Sequence, residues 1–134
     1  MTRFDPKAIV VAMLLALALN VIGGMLLLAL FSSGLDEGMS SDQAGAAVQA
    51  ILQDTGFLLA SLICSAVTTA IGGHVAARLA RAYPYFNALA VGLLCLALGL
   101  LLSTDAPWWV TLIDDLAAVP AALLGAHLAR QRNQ

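Results

Sequence analysis

Apolar residues fill four long stretches of the chain, Ala8 to Phe31, Thr55 to Leu79, Tyr85 to Leu102 and Pro107 to Leu128, with polar residues gathered between them. About 20 residues at ~1.5 Å rise cross the ~30 Å hydrocarbon core of a bilayer, so each stretch approaches the length of a membrane span. Lipid offers the backbone no hydrogen-bond partner, and none of the stretches alternates as the strand of a barrel would. The pattern therefore predicts an all-α fold, a single four-helix membrane domain over residues 1–134. Asp5-Pro6 supplies an N-cap and a first-turn proline for the first helix, Asp54 precedes the second span, and Asp105 with Pro107 opens the fourth. Pro84 is read as the stop of the second span. The first stretch exceeds the ~7–15 apolar residues of a secretory signal and is read as a retained span.

The connection from 32 to 54 is the only sizeable polar segment. Ala47, Val48, Ile51 and Leu52 recur there at helical spacing, which predicts a short amphipathic helix over 41–53. Basic residues set the direction of threading. Arg3 and Lys7 precede the first span, Arg78 and Arg81 separate the second from the third, and Arg130 and Arg132 follow the fourth. The other two connections hold Asp36, Glu37, Asp42, Asp54 and Asp105 and no Lys or Arg. The positive-inside rule then puts both termini in the cytoplasm and implies a multi-pass protein of a bacterial inner membrane. All eight aromatic residues fall at or near a span boundary, where amphipathic rings prefer to sit.

Composition agrees. Of 134 residues 61% are hydrophobic and 10% charged, with mean hydropathy +0.93, against about 25% charged in an ordinary soluble domain. Six basic residues scattered in pairs form no nucleic-acid footprint. Cys64 and Cys95 lie within apolar runs and read as small packing residues. No nucleophile–base pair, HExxH, phosphate loop or Cys/His ligand spacing is present, so no enzyme chemistry, cofactor or metal is expected.

Helices associate in lipid through small residues and a few buried polar groups. The first span offers Ala12, Ala16, Asn20, Gly23 and Gly24, the second Ser61, Ser65, Thr68, Gly72 and Ala76. The third offers Ala88, Gly92, Cys95 and Gly99, and the fourth Ala118, Ala121, Ala122 and Gly125. Asn20, Ser61, Ser65 and Thr68 are the expected interhelical polar contacts, and the glycines the packing positions. Such seams fit one compact bundle, or one that also pairs with a second copy or a membrane partner.

Asp114 and Asp115 are the only acids inside a span. They follow Trp108 and Trp109 by five to seven residues, roughly 8–10 Å below the interface. An ionisable group at that depth is costly unless it faces protein or water, which makes the pair the candidate for proton or cation binding. Hydrogen bonding to Ser61, Ser65 or Thr55 is the structural alternative. A helical wheel turns Val119, Leu123 and Leu116 toward lipid. It also turns His74 and His127 away from the small-residue seams, where with Arg78, Arg81, Arg130 and Arg132 they would form a basic inner rim. Pro120 interrupts the fourth span near its middle.

Gly72-Gly73-His74-Val75-Ala76-Ala77-Arg78 is similar to Gly125-Ala126-His127-Leu128-Ala129-Arg130, as a duplicated helical hairpin would be. The 72–78 stretch also resembles the GGxxAAR motif of small uncharacterised bacterial four-span inner-membrane proteins, a resemblance that implies location and architecture but no activity. In size the chain is similar to small multidrug-resistance transporters, yet their glutamate in the first span has no counterpart here, where Asn20 stands. Two functions follow as expectations: a structural, accessory or regulatory membrane component acting through helix packing, or a small proton- or cation-coupled transporter or channel subunit using Asp114 and Asp115.

Overall fold

The computed structural model describes residues 4–35, 38–80, 82–102 and 106–131. Arg3, Asp36, Glu37, Arg81, Asp105 and Arg132, all used in reading the sequence, lie outside the described residues. The fold is all-helical: α1 (Pro6–Ser32), α2 (Ser41–Leu52), α3 (Thr55–Leu79), α4 (Pro84–Leu101) and α5 (Trp108–Gln131). Four of these, α1, α3, α4 and α5, are long and apolar enough to cross a membrane, at 27, 25, 18 and 24 residues, which marks a multi-pass membrane protein.

Local chemistry sets the helix ends. The Asp5 carboxylate accepts from the Ala8 amide at 3.3 Å and the Asp54 carboxylate from the Phe57 amide at 3.0 Å. Ser40 and Gln43 close a capping box on α2, so this short helix starts at Ser41. At the other end of the bundle α3 stops at Leu79, and Pro84 is the first residue of α4, not the terminator of α3. A first-turn proline has no amide to leave unpaired, which suits it to this position.

Tyr83 caps α4 in the left-handed region, with φ 52° and ψ 60°. That conformation costs a residue with a side chain roughly 1–2 kcal/mol. Asn87 offsets it. Fully buried, Asn87 donates from Nδ2 to the carbonyls of Ala82 and Tyr83, both at 3.1 Å, and accepts from the Asp5 amide at 2.7 Å through Oδ1. One side chain thus ties the start of α1 to the α3–α4 connection. Asn87→Leu would remove the bonds to the Ala82 carbonyl and the Asp5 amide, while the Tyr83 carbonyl keeps the amides of Phe86 and residue 87; a loss of about 1–3 kcal/mol is expected in detergent unfolding titrations.

Helix α3 lies at the centre, touching every other helix; α5 packs on α3 and α4, and α1 on α3 and less on α4. The dry core occupies the half of the bundle near the α3–α4 connection. There Ala12, Met13, Ala76 and Val91 form one cluster, and Ala77, Ala88, Ala126 and Ala129 another. Cores this rich in alanine bring backbones close together, the packing mode expected where lipid supplies no hydrophobic drive between helices. The outward surface is Leu, Ile, Val and Met: Leu14, Met25, Ile63, Leu100, Leu116 and Leu124 are each at least 60% exposed.

Candidate functional site: a carboxylate-lined cavity

The α2 half of the bundle is hollow. A cavity of about 590 Å³ runs from Ala16, Thr68 and Ala118 at mid-bundle to Gln49 and Leu52 of α2 and the following Gln53. All five helices line it, and Asp114 and Asp115 both belong to its wall. The volume falls within the ~300–1,000 Å³ of small-molecule sites.

The two carboxylates point to different neighbours because adjacent helical residues differ by ~100°. Asp114 is turned toward α3, with the Ser65 side chain beside it. Asp115 is turned toward α4. A Cβ built on Gly99 would lie 2.5 Å from Asp115 Oδ1, so the absent side chain at Gly99 makes the room that Asp115 occupies. A methyl there collides only with the free end of Asp115. Gly99→Ala should leave the fold intact but swing Asp115 aside, changing its carbodiimide labelling several-fold, read by mass spectrometry, while Asp114 labelling stays as in the parent.

The opposite wall carries amide and hydroxyl groups. Asn20 donates to Thr68 Oγ1 at 3.3 Å, joining α1 to α3. Thr68 in turn donates to the Ser65 carbonyl at 2.9 Å and Ser61 to the Leu58 carbonyl at 2.7 Å, both within α3. Thr69 and Thr111 also line the cavity, as does Cys95, whose thiol donates to Met13 Sδ at 3.9 Å. No Lys, Arg or His is among the described lining residues. The charge of Asp114 and Asp115 therefore has no basic side chain of the cavity to meet it.

The glycines named from the sequence divide by position. Gly72 packs against Ala16, whose Cβ would lie 2.9 Å from an added one, and Gly92 against Val119 Cα and Ala122 Cβ at 3.0 and 3.1 Å. Gly125 lies on the Ala70 carbonyl and Gly23 on the Cys64 sulfur. Gly24 meets nothing within 4 Å, so its expected role in helix packing is corrected: the side of α1 it occupies has no neighbour in the bundle. Gly73, not counted among the packing positions, makes a backbone contact as close as that of Gly125, lying on the carbonyl of Ala122. Its place beside Gly72 on a second helix face was the available signal.

Two helix-wheel expectations are also corrected. Val119 and Leu123 are half-buried and not turned wholly to lipid, because α5 packs on both α3 and α4; Leu112, Leu116 and Leu124 form the exposed face. His74 is not on an outer side of α3. Half-buried between helices, it donates from Nδ1 to the Gly125 carbonyl at 3.2 Å, which the missing side chain of Gly125 leaves accessible. A carbonyl only accepts, so the proton sits on Nδ1.

The other described rim residues, Arg78, His127 and Arg130, are exposed and lie at the opposite end from α2. His127 contacts the Tyr85 hydroxyl at 3.3 Å and Gln131 at 3.0 Å, Arg130 lies 5.9 Å from the Tyr85 ring centroid, and Arg78 is on the surface. Among the described residues no group of His, Cys, Asp and Glu side chains is gathered as a metal site would require. Sequence reasoning missed Asn87, whose only signal was a single amide in the first turn of an apolar helix.

Comparison with protein-family models, curated proteins and solved structures gives no match to this chain.

Proposed function

We propose that the protein is a small multi-pass component of a bacterial inner membrane that binds a proton or cation at Asp114 and Asp115, as a transporter or channel subunit does. The observation carrying this reading is that both carboxylates line one 590 Å³ cavity in which no described lining residue is basic. Two carboxylates on one wall with no basic neighbour can each take up a proton or a cation. Exchange of one for the other in a shared cavity is the elementary step of coupling.

The proposed orientation puts both termini and the α3–α4 connection in the cytoplasm and α2 on the outer face. Lys7, Arg78 and Arg130 at one end, with Asp42 and Asp54 at the other, support it. The 72–78 stretch, similar to the GGxxAAR motif of four-span inner-membrane proteins, agrees with the location. Reporter domains fused to either terminus should be active only in the cytoplasm; an active periplasmic reporter would overturn the orientation. For the coupling role, vesicles containing the protein should show a cation- or proton-dependent flux that Asp114→Asn and Asp115→Asn each reduce.

A second reading, an accessory component working through helix packing, is favoured by one observation. Gly24 and the exposed residues Val21, Ile22, Met25 and Leu26 leave one side of the second half of α1 without partners in the bundle, while Gly23 on the other side meets Cys64. Gly72 and Gly125, by contrast, are consumed inside the protomer. The informative variant for self-association is therefore Gly24→Leu, which should alter the crosslinked oligomer pattern under this reading and leave it unchanged under the first.

A further inference from the structure

We infer that the cavity's occupant is an amphiphilic organic cation, with its positive nitrogen at Asp114 and Asp115 and its apolar body along α1, α3 and α4. This rests on the proposed coupling role of the two carboxylates and names the class of ligand they serve. Size is the first argument. A volume of about 590 Å³ holds a molecule of many atoms, whereas a bare inorganic cation needs several oxygens closing around it at ~2–2.6 Å. The carboxylates do not converge in that way, since Asp115 is turned to Gly99 of α4 and Asp114 to Ser65 of α3.

The second argument is the division of the walls. Charge is confined to α5, while Leu17, Leu52, Phe57, Leu58, Leu62 and Leu98 supply apolar surface on the other helices. A small hydrophilic cation would gain nothing from those leucines, and a neutral apolar molecule would leave two carboxylates facing it unpaired. Phe57, buried and packed edge-on against Phe31, adds aromatic surface to the wall. Amides and hydroxyls at Asn20, Thr68 and Thr69 accept hydrogen bonds from an amine but are not needed by a quaternary nitrogen, so both subclasses fit.

Cys95 provides the reporter, because it lines the same cavity whereas Cys64 does not. In a Cys64→Ala protein reconstituted in phosphatidylcholine vesicles, modification of Cys95 by the neutral reagent methyl methanethiosulfonate is followed by mass spectrometry. Saturating benzyltriethylammonium should slow the reaction about tenfold, and the neutral N,N-diethylbenzamide and sodium chloride should leave it unchanged. Asp114→Asn should remove the protection, and Gly99→Ala should reduce it while the vesicle-embedded protein stays folded by circular dichroism. Equal protection by the amide, or protection indifferent to both substitutions, would overturn the inference. Loss of ligand protection alongside an aspartate-dependent proton or sodium flux would overturn the inference and leave the coupling role standing; absence of both effects would overturn both.

Discussion

Gly125→Leu and Gly73→Leu are expected to be the most damaging single substitutions in this protein. At Gly125 an added Cβ would collide with the Ala70 carbonyl and lie 2.8 Å from the His74 amide nitrogen; at Gly73 it would collide with the Ala122 carbonyl and lie 2.6 Å from Ala122 Cα. The opposing atoms are backbone of a second helix, which cannot rotate away as a side chain end can. Forcing extra atoms into a well-packed core typically costs about 1–3 kcal/mol, and a leucine that must separate two helices along their whole crossing is expected beyond the top of that range. The His74 bond to the Gly125 carbonyl would be lost in the same step. Gly24→Leu is the matched control: nothing lies within 4 Å of that position, so the same change should leave stability within about 0.5 kcal/mol of the parent. Unfolding titrations in mixed micelles compare the three, and equal effects at Gly24 and Gly125 would contradict the packing described.

The second large effect is functional. Replacing both Asp114 and Asp115 by asparagine keeps shape and hydrogen-bonding capacity but removes the charge from the cavity wall. Flux of protons or cations through reconstituted vesicles should then fall to the protein-free background. Single substitutions should be unequal. Asp114 shares its environment with Ser65 and Asp115 its space with Gly99, so the two carboxylates are held by different helices and respond to different neighbours. Their effects should also be non-additive, because both face one cavity and contact groups couple. A double variant that retains parental flux would end the coupling proposal while leaving the fold untouched.

What could be read from the sequence follows from where water and lipid differ. Span boundaries were legible because the caps at Asp5 and Asp54 are local chemistry, and because apolar runs end abruptly in polar connections. Even so, α5 continues past Leu128 through Gln131, since a fall in hydropathy does not by itself end a helix. Asp114 and Asp115 stood out for the same reason: they are charges where lipid forbids them. Inside the bilayer that contrast vanishes. A helix side facing lipid and one facing protein are both apolar, so the wheel could not tell that Val119 meets Gly92 or that the Gly24 side of α1 meets nothing. His74 was misplaced because α3 has neighbours on several sides, a fact of topology that no residue of α3 records. The cavity itself was illegible, being a property of five helices at once. Its hydroxyls and amides, read singly as helix glue, acquire a shared purpose only when they surround one space.

Asp114 and Asp115 line a cavity whose wall extends to Gln49 and Leu52 of α2, and if that cavity admits water from the α2 end, cysteine accessibility reads it directly. In a protein lacking Cys64 and Cys95, cysteines placed singly at 114, 115 and 116 are exposed to a membrane-impermeant maleimide added from the α2 side of sealed vesicles. Positions 114 and 115 should be labelled, and position 116, where Leu116 is 66% exposed on the outer face of α5, should not. Labelling at 116 equal to that at 114 and 115, or no labelling at either aspartate position, would contradict the cavity and the function built on it.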